Sequence, residues 1–360
     1  MPDASPVLLP ELRLRTDLAV RGVRMDAPVS RGCGAGPSDD GHVVIGGLNA
    51  ALPLDPTSPY VVRDERVLLD GADLGLEVRP VSRPMFYDLT TADGVAYEQI
   101  ARLHGRDVLA TTVVQTCMRY DPAERCRFCA IEASLAAGST VAVKTPAQLA
   151  EVAEAAVRLD GVQQMVMTTG TSRGADRGAR HLARCVRAVV AAVPGLPVQV
   201  QCEPPADLSV LTDLRDAGAV SIGIHVESMD DEVRRRWTPG KSRVPLEEYR
   251  AAWREAVRVF GRNQVSTYLL VGLGEDPDRL VADAAELVAM GVYPFVVPFR
   301  PLPGTLAVDV DGVGAPAAEV VERVSREVAA LLVAAGMTSD GQRAGCAACG
   351  ACGLLKSAGA

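Results

Sequence analysis

Cys117, Cys126 and Cys129 fall within thirteen residues, at C-x8-C-x2-C spacing. No other stretch limits the chain so strongly. An apolar run, Thr111 to Thr116, precedes them and reads as a strand. Three thiolates on one loop can hold three corners of an iron–sulfur cube. No fourth ligand lies nearby, so one iron would stay open, which is what a catalytic metal needs. A zinc site, or cysteines that are simply buried, are the plainer alternatives. The start, Met1-Pro2-Asp3-Ala4-Ser5-Pro6, lacks a signal-peptide pattern, so the expected compartment is the cytoplasm. There, nine cysteines favour metal ligation over disulfides.

The bulk numbers remove several classes. A net charge of −8 without a clustered basic face argues against nucleic acid as a partner. No apolar run is long enough for a bilayer, so no membrane partner is expected. Only 4% of residues are aromatic, so the core must be built from Ala, Val and Leu.

Residues 1 to about 105 are rich in Pro and Gly and show no long helical period. They read as a small β-rich N-terminal domain. Asp70-Gly71 between two apolar runs signals a hairpin. Cys33 and His104 are read as a bystander and a structural histidine. From residue 106 to about 310, strands and helices alternate. Thr145-Pro146 opens one helix and Gly161 stops it. Six strand–helix units imply parallel strands with right-handed crossovers. The fold class is therefore α/β, a partial (β/α)6 TIM-like barrel, followed by a C-terminal helix and Cys-rich tail over 311–360. Barrel chemistry gathers at the C-terminal strand ends. Those ends carry Thr169-Gly170-Thr171, Glu203, His225 with Glu227, Gly272 with Gly274, and Arg300. Alternation along the strand puts His225 and Glu227 on one side. Arg234 and Lys241 are nearby cations suited to a carboxylate. Each signal has a structural alternative: Glu203 as a helix-start carboxylate, His225 as a satisfied core histidine, the arginines as a solvated face.

The cysteine loop, with Phe128 just before Cys129, resembles that of the radical S-adenosylmethionine (SAM) superfamily, although its first gap is longer than the common C-x3-C-x2-C. The resemblance spans about residues 110–305. It implies a [4Fe–4S] cluster on Cys117, Cys126 and Cys129, with SAM on the open iron. It also implies SAM contacts from Thr169, Gly170, Thr171, Glu203, Glu227, Arg234, Lys241, Gly272 and Gly274. Flavodoxin or ferredoxin would be the electron donor and a small molecule the substrate. The long gap and Cys-rich tail are similar to a little-characterised bacterial subfamily encoded beside nitrilases, which hints at a nitrogen-containing substrate. A different class, a non-catalytic iron–sulfur electron carrier or redox sensor, would need none of these strand-end groups. A zinc-dependent hydrolase would want more than four histidines.

The tail holds a second set, Cys346, Cys349 and Cys352, at C-x2-C-x2-C spacing. It resembles the ferredoxin run without its fourth cysteine. An auxiliary cluster completed by Cys33 or substrate, a zinc site, and a disordered thiol relay are the readings it allows. The last seven residues read as frayed. Tail and N-terminal domain are expected to close the barrel mouth.

Overall fold

Thr145 accepts a bond from the Gln148 backbone while Gln148 returns one to Thr145, and Pro146 takes the first helical position. Gly161 then closes that helix in the left-handed region, φ +66°. Such local devices set the elements seen in a computed structural model that describes residues 8–25 and 41–360. Cys33 lies outside the described residues. The elements are α1 (Leu8–Arg21), β1 (Arg24–Met25), β2 (His42–Ile45), β3 (Leu48–Ala51), β4 (Tyr60–Arg63), β5 (Arg66–Leu69) and β6 (Ala72–Pro80). Next come α2 (Tyr97–Ile100), β7 (Arg102–His104), β8 (Val108–Thr112), α3 (Ile131–Ala136), α4 (Pro146–Asp160), β9 (Gln164–Thr168) and α5 (Ala179–Ala192). They continue with β10 (Val198–Gln201), α6 (Val210–Asp216), β11 (Ser221–Gly223), α7 (Asp231–Trp237), α8 (Leu246–Phe260), β12 (Val265–Val271) and α9 (Pro277–Met290). The last are β13 (Val292–Pro298), α10 (Leu306–Asp309), α11 (Ala318–Ala334) and α12 (Cys346–Cys349).

Strands β8 to β13 pair in parallel in sequence order, and β7 pairs antiparallel with β8 at one edge. The sheet is thus an open half-barrel with helices outside. Every residue of β8 and of β13 is buried, as expected for parallel strands covered on both faces. The first parallel strand begins and ends earlier than the Thr111–Thr116 run suggested. Past Thr112 the chain still bonds locally, Val113 to the Thr168 carbonyl (2.8 Å), but leaves the ladder to start the cysteine loop.

The N-terminal sheet runs β1-β4-β5-β6-β2-β3. Its β5–β6 turn has Asp70 and Gly71 at φ +50° and +82°, the expected two-residue hairpin. Helix α1 corrects the expectation that this region lacks a helix. Its Leu12 and Ala19 are buried in the main core and its Leu18 in that of the N-terminal sheet. The sheet docks beside the start of the barrel: Asn49 Nδ2 donates to Asp107 (3.2 Å), and the Gly105 N–H donates to His42 Nδ1 (3.1 Å).

The tail overturns two expectations. It is packed, with Leu354 and Leu355 buried. It also enters from the end opposite the catalytic face. Gln264 bonds Gly341 O (2.9 Å) and Arg343 N (3.0 Å), Ser221 Oγ bonds Ala344 O (2.9 Å), and Gln164 Oε1 accepts from Gly345 N (2.7 Å). Gln164, Ser221 and Gln264 stand at the N-terminal ends of β9, β11 and β12. The tail is therefore a floor to the half-barrel, not a cover for its mouth.

Candidate active site

The cysteine loop is tied to the C-terminal ends of several strands. Met118 N bonds Thr171 O (2.8 Å), Gly240 N bonds Glu124 O (2.8 Å), and Arg127 N bonds Trp237 O (2.8 Å). Phe128 packs with Trp237, Leu273, Phe299 and Ala307, which anchors the loop beside Cys129. Cys126 and Cys129 keep some exposed surface, yet burial pushes both thiols up, Cys129 to about 11. Cys126 feels Cys129 and Cys117, and Cys129 feels Cys117, so the three lie within electrostatic reach, and the Lys241 ammonium acts on Cys126 and Cys129 in the direction that favours thiolate. Among the described residues no three His, Cys, Asp or Glu side chains converge on a single ion. Cube ligands bind separate irons and stand wider apart than that. Three free thiols beside a buried cation are a donor set that fits such a cluster.

Arg119, which sequence reasoning passed over, locks the loop to β10. Its Nη2 and Nε donate to Glu203 at 2.7 and 3.0 Å, and its Nη1 to Gly240 O. Glu203 also accepts from Thr171 Oγ1 (2.7 Å) and Arg177 (3.4 Å). Burial would raise its pKa, but the Arg119 guanidinium holds it below the usual value. Glu203 is thus a fully engaged crosslink between loop and strand end. A cation two positions after the first cysteine, with a strand-end carboxylate at Glu203, was the available signal.

Gly170 serves the loop too. A Cβ there would meet the Thr116 carbonyl oxygen at 2.0 Å, so its close approach is to the chain's own backbone. Thr169 Oγ1 bonds Gly170 O (2.9 Å). Gly272 and Gly274 take φ +111° and +93°, and Glu275 caps the Gly272 and Leu273 amides, each at 2.7 Å.

Alternation does not join His225 to Glu227. Strand β11 ends at Gly223, and Glu227 sits in the left-handed region at φ +69°, uncommon for a residue with a Cβ. Lys241 joins them instead: its Nζ donates to His225 O and Glu227 Oε1, both at 2.8 Å. Burial would lower Lys241, but the Glu227 carboxylate 2.8 Å away holds it well above its usual value. His225 stacks on Tyr268 at 4.0 Å, accepts from the Tyr268 N–H (3.2 Å), and is driven by burial down to about 4. Arg234 is corrected from carboxylate holder to scaffold. It bonds Val244 O (2.6 Å) and Lys241 O (3.4 Å) and lies over the Tyr249 ring. Arg300 likewise turns to the tail, donating to Cys352 O (3.4 Å).

Inside the barrel is a cavity of about 320 Å³. Thr112, Thr168 and Gln201 line it toward the catalytic face, Tyr268 at mid-strand, and His104, Cys346, Cys349 and Cys352 from the tail side. Burial pushes Cys346 up to about 11; burial would push Cys352 up too, but His104 and Arg300 bring it down to about 7.

Among the described residues no helix is long and apolar enough to cross a membrane. Over 140 residues the chain is 27% identical to bacteriochlorophyllide c C-7(1)-hydroxylase of Chlorobaculum limnaeum, taking in 38% of this chain and 34% of that protein. The chain thus spans about a third of the curated relative it matches. It overlays in part on methylornithine synthase (TM-score 0.46, 16% identity, 62% of this chain, 60% of that one). It also overlays on the FeFe-hydrogenase maturase HydG from Carboxydothermus hydrogenoformans (TM-score 0.46, 18% identity, 61% and 49%). The model of the radical SAM superfamily matches residues 122–288. What the comparisons support is a radical SAM superfamily domain over that stretch, which takes in Cys126 and Cys129 and begins just after Cys117.

Proposed function

We propose that this protein is a radical SAM enzyme with a (β/α)6 core at about 106–310, a β-rich N-terminal domain and a Cys-rich tail. Cys117, Cys126 and Cys129 hold its [4Fe–4S] cluster and leave one iron for SAM. A reduced cluster held by these cysteines would supply the one electron needed for reductive cleavage of SAM, and through it hydrogen-atom abstraction from a small substrate. The chain's residues orient and protect. Arg119 and Glu203 fix the cysteine loop on β10. Lys241, held by Glu227, presents a buried cation near the cysteines, suited to the carboxylate of SAM. Thr169, Thr171, Gly272 and Gly274 stand at the strand ends around it. The internal cavity would take a small substrate and exclude water. The reductant is a flavodoxin or ferredoxin, and the tail cysteines hold an auxiliary cluster. The nitrogen-containing substrate rests on the subfamily resemblance alone.

The observation that carries this reading is the cysteine loop, anchored to the catalytic-face strand ends within a radical SAM domain match. The test is anaerobic reconstitution with iron and sulfide, reduction, and addition of SAM without substrate. The parent is expected to release 5′-deoxyadenosine and Cys126→Ala none. Iron on the loop with no SAM cleavage by a strong reductant would favour a carrier or sensor.

A further inference from the structure

We infer that His104 completes the tail-cysteine site, so that His104, Cys346, Cys349 and Cys352 hold a second iron–sulfur cluster on the floor of the half-barrel. The inference deepens the auxiliary-cluster reading, on which it rests.

Four soft or borderline ligands meet here from distant parts of the chain. His104 comes from the edge strand β7, the cysteines from α12 and the turn after it. His104 Nε2 lies 3.4 Å from Cys352 Sγ, and its buried Nδ1 has no protein partner. The backing is equally specific. The His42 ring packs edge-on to His104 at 4.3 Å and fixes its orientation. Tyr268 Oη lies 2.9 Å from Cys346 Sγ, with Gln201 Nε2 at 3.2 Å and Asn49 Nδ2 3.8 Å from Cys349 Sγ. Donors aimed at ligand sulfurs are the outer shell by which proteins orient and tune clusters. The backbone is shaped for the approach: a Cβ on Gly345 would meet Gln199 at 2.1 Å, and one on Gly353 would meet Val296 O at 2.6 Å.

His104 Nε2 and Cys352 Sγ, 3.4 Å apart, are close enough to share one iron, and the three sulfurs border the cavity of about 320 Å³, which gives room for a polynuclear group. The cavity also takes in Thr112 and Thr168, the last residues of β8 and β9.

The test uses the full chain, reconstituted anaerobically with iron and sulfide. A variant with Cys117, Cys126 and Cys129 all changed to Ala is expected to keep roughly half the parent's iron and sulfide, and one lacking the three tail cysteines the other half. In the first variant, 15N-histidine labelling should alter the nitrogen coupling seen by pulsed electron paramagnetic resonance of the reduced cluster. His104→Gln should abolish that coupling, with circular dichroism confirming the fold. No iron in the first variant, zinc in place of iron, or a spectrum blind to histidine labelling would overturn the proposal. Failure of the parent to cleave SAM would instead sink the reaction reading and leave these iron counts standing.

Discussion

The Tyr268 hydroxyl and the Cys346 sulfur stand 2.9 Å apart. Tyr268 reaches from mid-β12, and the opposite side of its contact set is His225 at the catalytic end. One side chain therefore links the tail to the segment that follows β11. Tyr268→Phe keeps the stack and removes the O–H···S bond. The expected cost is about 1 kcal/mol in urea unfolding, with iron on the Cys117 loop unchanged.

The Arg119–Glu203 pair is buried, with side-chain exposures of 12% and 2%. Arg119→Ala leaves the buried Glu203 carboxylate with Thr171 and the longer Arg177 contact, so a loss of roughly 1.5–3 kcal/mol is expected. Glu203 also gives a pH signature. Its folded pKa is depressed, so its contribution is present above the unfolded value and lost as pH falls through the folded one. Glu203→Gln should flatten the stability–pH curve below pH of about 4.5 and leave it unchanged near neutrality in slope.

Gly170→Ala puts a methyl group where the Thr116 carbonyl already stands. Backbone must move, and the part that moves carries Cys117. A destabilisation of about 1–3 kcal/mol is expected, with weaker iron retention on the loop measured after a chelator challenge. Gly161→Ala is the control, since nothing lies within 4 Å of a Cβ there; it should cost backbone strain but leave iron retention intact.

Lys144 is buried without a carboxylate and donates to Thr112 O and Thr140 Oγ1, both at 2.7 Å. Burial lowers its pKa from 10.5 to about 7. The unfolded chain binds the extra proton between those values, so stability should rise with pH from about 7 to about 10.5. Lys144→Met should remove that slope in denaturant titrations across this range. The slot beside it, about 20 Å³, has room for little more than a water, so a substrate role is not expected.

Local rules carried much of the reading. Helix α4 was legible from Thr145-Pro146 and its glycine stop, and the β5–β6 hairpin from Asp70-Gly71, because each signal lies within a few residues of what it controls. Helix α1 was hidden by the Pro and Gly content of its surroundings, although its apolar residues were present. The left-handed Glu227 broke an alternation argument that holds only while a strand continues. Gly170 was read as making room for a ligand, when the space is taken by Thr116. The role of Arg119 depended on a partner eighty-four positions away, and the path of the tail on bonds to Gln164 and Gln264, which no short window contains.

The floor formed by residues 341–355 has a consequence for biogenesis. A ribosome delivers every barrel strand before it delivers this segment, and domains commonly begin folding during synthesis. The nascent half-barrel would pass through a stage in which its interior stands open from below. Were the proposed floor cluster to load there, its loading and the threading of the last segment would compete in time, and chains sealed first would be a kinetically trapped, metal-poor population.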